Sequence, residues 1–230
     1  LGRVAYETFP LTAENDFLPD LDAIPEETAR RAKFIYINYP NNPTGAVATK
    51  AFYEKLVAWA KTYEVGVVSD LAYGALGYQG YENPSFLSTP GAKDVGIEFY
   101  TFSKTFNMAG WRLAFAAGND QMIEALNLIQ DHLFVGIFPA LQEAGIAALL
   151  DPKSEEAVAQ LNATYDSRRD AFVQAAAKIG WQAFPSRGSF YAWMPVPEGY
   201  TSESFADLLL EKVHVAVAPG KGVGPAGDAY

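Results

Sequence analysis

Lys104 makes the heaviest demand on its surroundings. It lies in "FSKTFNMAGWRL" (102–113), between Ser103 and Thr105, with Arg112 eight positions further on, in an apolar stretch that contains glycine. A charge in such surroundings is costly unless it has a partner. A lysine amine can also form an imine with an aldehyde, which removes the difficulty of an unpaired ammonium. Companions occur elsewhere: "YPNNPTG" (39–45) carries Asn42, "SDLAY" (69–73) carries Asp70 and Tyr73, and Thr101 precedes the lysine motif. Each has an ordinary reading as well. Asn-Asn-Pro-Thr-Gly is a turn. Asp70 after a strand is a helix cap. Tyr73 is a packing residue, and a lone Lys or Arg is a solvated surface group. Which reading holds depends on whether the chain gathers these residues.

The elements that would gather them are legible. "KFIYIN" (33–38), "VGVVSD" (65–70) and "IEFYTF" (97–102) are short apolar runs bounded by turn signals, and they predict buried strands. "WRLAFAAG" (111–118) predicts a further strand. "TKAFYEKLVAWAKTY" (49–63) has apolar residues at helical spacing, with Thr49 placed as N-cap. Strands alternating with helices predict an α/β fold with a mostly parallel sheet covered by helices on both faces. Ligands of such sheets bind at the carboxyl ends of the strands. Asn42, Asp70 and Tyr73, and Thr101, Ser103 and Lys104 all follow strand ends, and Arg112 opens the next strand.

From 119 the texture changes. Helices are predicted over "NDQMIEALNLIQDHL", over "FPALQEAGIAALL" and over 152–180, the last ending at Gly180. Strands "WQAF" and "SFYAWMPV", a helix "SESFADLLLEKV" and a strand "HVAVAP" follow. This predicts a large domain over 1–150 and a smaller α+β domain over 151–230. "LGRVAYETFPLT" at the start reads as a strand followed by a turn, and both ends read as cut from something longer.

Composition narrows the function classes. Of 230 residues, half are hydrophobic, 14% aromatic and 19% charged, which is globular and enough for one large core and part of a second. The net charge of −10 argues against a nucleic-acid backbone as partner. With no cysteine there are no disulfides and no thiolate metal sites, and His132 and His214 form no metal pattern. No apolar run reaches the ~18 residues of a membrane span. A cytoplasmic location and no membrane partner are expected.

The gathered groups suit pyridoxal 5'-phosphate. That cofactor needs a lysine for its aldehyde, an acid partner for its ring nitrogen, a hydrogen bond to its ring hydroxyl, and phosphate ligands. Asp70 would keep the pyridinium protonated. Asn42 and Tyr73 could both reach the phenolic oxygen. Arg112, Thr101 and Ser103 could hold the phosphate, the guanidinium fork matching two of its oxygens.

"YPNNPTG", "SDLAY" and "SKTFNMAGWRLAF", in that order, resemble the three signature stretches of the class I/II aminotransferases, which have the type I pyridoxal-phosphate fold. The similarity runs on through "SRGSFYAWMPV" to the terminal "VAVAPGKGVGPAGDAY", and "QDHLFVGIFPALQEAG" (130–145) resembles the branch with aspartate, alanine and diaminopimelate-type aminotransferases. The resemblance implies transfer of an amino group between an amino acid and a 2-oxo acid. Lys104 would carry the cofactor as an aldimine and shuttle the substrate's α-proton. Asp70 would pair with the ring nitrogen, and Asn42 and Tyr73 would bond the ring oxygen. Arg112 and Thr101 would bind phosphate, with Ser103 a further ligand. Members commonly have serine where Thr101 stands; threonine keeps the hydroxyl. The resemblance also implies a homodimer. It implies an N-terminal portion with a phosphate loop and a ring-stacking aromatic, and an arginine after "GDAY" for the substrate α-carboxylate. Neither is found in residues 1–230, which therefore read as a segment of a longer enzyme. Two rival readings share these motifs: another pyridoxal-phosphate reaction such as β-elimination, and a non-catalytic effector domain of a regulator.

Overall fold

The computed structural model describes residues 5–184 and 186–230. The strand expected at the start begins in residues 1–4, outside the described residues, and from 5 to 12 the chain is irregular. The elements then run α1 (Glu26–Arg31), β1 (Phe34–Asn38), α2 (Lys50–Tyr63), β2 (Gly66–Asp70), α3 (Ala92–Val95), β3 (Gly96–Thr101), α4 (Phe102–Thr105), β4 (Ala114–Gly118), α5 (Asp120–Ile129), α6 (Pro139–Leu150), α7 (Ser154–Lys178) and α8 (Ser202–Val213).

The four strands form one sheet in the order β1-β2-β3-β4. β1, β2 and β3 are parallel, with Asn38 opposite Asp70 and Asp70 opposite Phe99. β4 returns antiparallel to β3, with Ala114 opposite Thr101. That reversal matters for the site. It puts the start of β4, and Arg112 just before it, at the sheet edge where the parallel strands end.

The core lies where α2 meets the sheet. Thr49 caps the helix, its hydroxyl accepting from Phe52 N at 3.1 Å. Phe52, Tyr53, Leu56, Val57 and Ala60 then join Ile35, Ile37 and Val67 in one buried cluster. Burying side chains of this size is worth roughly 1.5–3 kcal/mol each. β1 alternates: Ile35 and Ile37 are inside, whereas Phe34 and Tyr36 are 60% and 62% exposed.

The C-terminal part differs from expectation. "WQAF", "SFYAWMPV" and "HVAVAP" form no strand ladder among the described residues. They are tied by single backbone bonds, Phe184 N to Trp193 O at 3.1 Å and Val196 N to Ala229 O at 2.8 Å, and by an isolated bridge between Gly77 and Gly188. Alternating residues mark an extended chain but supply no neighbour to pair with, and a strand exists only in a pairing. The helix expected over 119–133 is α-helical to Ile129 and continues as a π turn, Gln130–Phe134. The long helix is present as α7, and Gly180 lies just beyond its cap at φ +75°. The segment after it folds back: Trp193 is part of the core cluster and stacks on Tyr230, with ring centroids 5.0 Å apart.

Candidate active site

The first strand end is built by asparagines. Asn38 Oδ1 accepts from Asn42 N at 2.9 Å, and its Nδ2 donates to Asp70 O at 3.0 Å. One side chain thus ties the "NNPTG" turn to the end of β2. Asn41 holds the turn from inside, its Oδ1 accepting from the Thr44 hydroxyl at 2.7 Å. Gly45 closes it at φ +70°, where a Cβ would overlap the Ser186 hydroxyl. Asn42 itself stays exposed and faces Tyr73.

Asp70 ends β2 with both carboxylate oxygens engaged. Tyr36 donates to Oδ2 at 2.7 Å, and Ala72 N donates to Oδ1 at 3.0 Å. No helix starts here: residues 72–75 form a turn, so the bond from Ala72 N closes a turn and the helix cap open to this residue is not what it makes. Tyr73 is buried, its hydroxyl 3.1 Å from that of Tyr191. Burial pushes the Tyr73 phenol well above its ordinary value; the Tyr191 hydroxyl and the Asp70 charge push the same way, and the Asn42 amide opposes them.

Lys104 sits on the single turn of α4 that follows β3. Thr101 starts the turn, its Oγ1 accepting from Ser103 N at 3.1 Å and lying 2.9 Å from Ser103 Oγ. Lys104 Nζ lies 5.3 Å from the Phe190 ring centroid and 5.8 Å from that of Tyr73. Among the described residues Lys104 takes part in no ion pair. The ammonium is thus held by aromatic faces, an arrangement worth about 0.5–2 kcal/mol. Asn107 and Arg112 bracket the following turn, both with φ 54°. Left-handed backbone costs a residue with a side chain roughly 1–2 kcal/mol, and such positions cluster at functional sites. Arg112 is exposed and donates from Nη1 to Ala109 O at 2.9 Å.

The fold therefore brings Asn42, Asp70, Tyr73, Thr101, Ser103 and Lys104 to one edge. Arg112 reaches the same edge, with its guanidinium turned onto its own loop. Tyr36, Phe190 and Tyr191 were not singled out from the sequence. They carry no spacing signal, and Phe190 and Tyr191 arrive from the irregular segment far along the chain. Among the described residues no cluster of three His, Cys, Asp or Glu is placed to hold a metal, and no helix is long and apolar enough to cross a membrane.

A mostly parallel sheet with an aspartate and a lysine at the ends of neighbouring strands defines the large domain of the type I aminotransferase fold. The chain belongs to the family "Aminotransferase class I and II", whose model matches residues 1–227. It is 54% identical over 230 residues to the L-glutamine–4-(methylsulfanyl)-2-oxobutanoate aminotransferase of Bacillus subtilis, covering all of this chain and 57% of that protein. It is 51% identical to the LL-diaminopimelate aminotransferase of Moorella thermoacetica, over 96% of this chain and 56% of that one. Among solved structures, substrate-bound BacF from Bacillus subtilis superposes with a TM-score of 0.91 at 46% identity, covering 96% of this chain and 56% of that chain. A Thermus thermophilus aspartate aminotransferase mutant superposes with a TM-score of 0.85 at 31% identity, over 91% and 55%. The chain spans somewhat more than half the length of these relatives.

Proposed function

We propose that this chain supplies the reacting centre of an enzyme that moves an amino group between an amino acid and a 2-oxo acid, with pyridoxal 5'-phosphate on Lys104. One observation carries the reading: an amine without an ion-pair partner among the described residues lies over the Tyr73 and Phe190 rings, at the sheet edge where Asp70 ends the neighbouring strand. The donor set fits the group, because an amine, a carboxylate, a phenol with an amide beside it, two hydroxyls and a guanidinium share that edge. When bound, the cofactor supplies an aldehyde for the amine and a ring that accepts the electron pair released at the substrate's α-carbon. Asp70, held by Tyr36 and Ala72 N, would face the ring nitrogen. Asn42 and Tyr73 would bond the ring oxygen. Thr101, Ser103 and Arg112 would hold the phosphate. Lys104 would take and return the substrate's α-proton.

The family and the printed activities of the relatives support amino-group transfer over β-elimination or a regulatory role. Homodimerisation and a cytoplasmic location belong to the same reading and rest on the family alone. The division into domains over 1–150 and 151–230 is supported by α7 beginning at Ser154, after the last strand and its helices.

The test uses the full-length natural protein loaded with the cofactor. Borohydride reduction should fix the cofactor to Lys104, and a label on Lys93 or any other lysine overturns the assignment. Exchange between amino and oxo acids should exceed release of pyruvate and ammonia from sulfur amino acids. The reverse order would establish the elimination reading.

A further inference from the structure

Glu98 is a carboxylate in an otherwise apolar strand, and the roles proposed above leave it unused. It is 5% exposed. Oε2 accepts from Ser69 Oγ at 3.0 Å and from Phe86 N at 2.8 Å, and Oε1 accepts from Ser85 Oγ. Among the described residues no cation pairs with it. Packing alone would favour an apolar side chain here, since a buried carboxylate without a counter-ion costs several kcal/mol. What a carboxylate offers is the ability to bond several separate segments at once.

Those segments lead to the site. Ser69 stands directly opposite Glu98 in the β2–β3 register and immediately precedes Asp70. Ser85 and Phe86 open the turn that ends the excursion from Tyr73. One residue past Asp70, Leu71 N donates to Phe99 O at 2.9 Å, so the two strand ends are coupled next to the Glu98–Ser69 bond. We infer that Glu98 is a positioning residue: its carboxylate pins β2 to β3 at Ser69 and so sets Asp70 relative to the Lys104 turn. The inference rests on the roles proposed for Asp70 and Lys104.

The experiment compares Glu98→Gln, Glu98→Ala, Ser69→Ala and Leu56→Ala in the full-length protein. Leu56 is a fully buried α2 residue away from the strand ends and serves as a control for lost stability. In cofactor-free protein, Glu98→Ala and Ser69→Ala should speed hydrogen exchange at Leu71 and Ala72 relative to the other sheet amides. In loaded protein, both should move the pH midpoint of the lysine-bound cofactor's visible band. Glu98→Ala should lower kcat about tenfold or more, as catalysis responds to misplacements of order 1 Å. Glu98→Gln should restore all three readouts. Its amide oxygen can accept from Ser69 and Phe86 N, and its amide nitrogen can donate to Ser85. Leu56→Ala should lose stability without moving the midpoint. The inference fails if the two pin variants change the midpoint and local exchange no more than Leu56→Ala does, or if Glu98→Gln is as defective as Glu98→Ala. Should Glu98→Ala not fold, Ser69→Ala decides alone, because it removes a single hydroxyl. A wild-type protein without borohydride label on Lys104 overturns the parent reading and this one together. A labelled wild type with unaffected pin variants overturns this one only.

Discussion

Asp70 and Glu98 stand on neighbouring strands and show what environment does to a carboxylate. Asp70 has a donor on each oxygen and lies at the edge, where the proposed function puts the ring nitrogen. Replacing it with alanine should leave the cofactor attached to Lys104 but reduce turnover at least a hundredfold. Removing one partner of a buried ion pair costs on the order of 3–5 kcal/mol, and each ~1.4 kcal/mol is a factor of ten. Near-normal steady-state rates would leave Asp70 with its bonds to Tyr36 and Ala72 N alone. Glu98 lies inside, where burial raises its carboxyl above the ordinary value near 4.5 while its three hydrogen bonds oppose the rise. The folded chain therefore keeps this proton to higher pH than the unfolded chain. The contribution to stability is complete below about 4.5 and is lost as pH rises through the raised value. Tyr53 of α2, the titratable neighbour, is itself raised by burial and by the Glu98 charge, so it stays neutral across this range. Urea unfolding at stepped pH should show this decline in the wild type and a flatter profile in Glu98→Gln. Identical profiles would contradict the raised value.

At the scale of elements, the "NNPTG" turn is a joint between the sheet edge and the C-terminal segment. Arg187 N and Gly188 N both approach Gly45 O, at 3.3 and 3.4 Å. Gly45 combines a left-handed backbone with the absence of a Cβ where Ser186 packs. Gly45→Ala should destabilise by more than ~1 kcal/mol, since an alanine is strained where φ is positive. It should also weaken cofactor binding by displacing Asn42. Denaturant midpoints and cofactor titration check both effects, and an unchanged midpoint would show that the joint yields freely. Thr49→Ala removes the hydroxyl that accepts from Phe52 N and should cost about 1 kcal/mol, read as a lowered denaturant midpoint.

Across the whole molecule, apolar surface is concentrated after α5. Leu133, Phe134, Val135 and Phe138 are 70%, 66%, 87% and 69% exposed. Contiguous apolar patches of this kind mark interaction surfaces or aggregation hazards. Residues 1–230 expressed by themselves should therefore self-associate, and Phe134→Ser with Val135→Ser should reduce light scattering at equal concentration. Equal scattering from both forms would place the association elsewhere.

The sequence by itself determined the strand ends and what stands on them. The apolar runs at 33–38, 65–70 and 97–102 stop where turn residues begin, and polar side chains that follow buried strands must emerge at the sheet's edge. Thr49 was legible as a cap because capping is local chemistry. Only the tertiary structure decided the direction of β4, since an apolar run pairs equally well either way; the antiparallel return brings Arg112 to the site edge. It also decided that the runs at 181–184, 189–196 and 214–219 form no strand ladder among the described residues, because a pattern cannot supply a neighbour. The same holds for the partners of the site residues. Tyr36 reaches Asp70, Tyr191 reaches Tyr73 and Phe190 reaches Lys104 through packing across long stretches of chain. Glu98 was not singled out from the sequence: its bonds to Ser69 and Ser85 come from strand register and loop closure, which side-chain spacing does not encode.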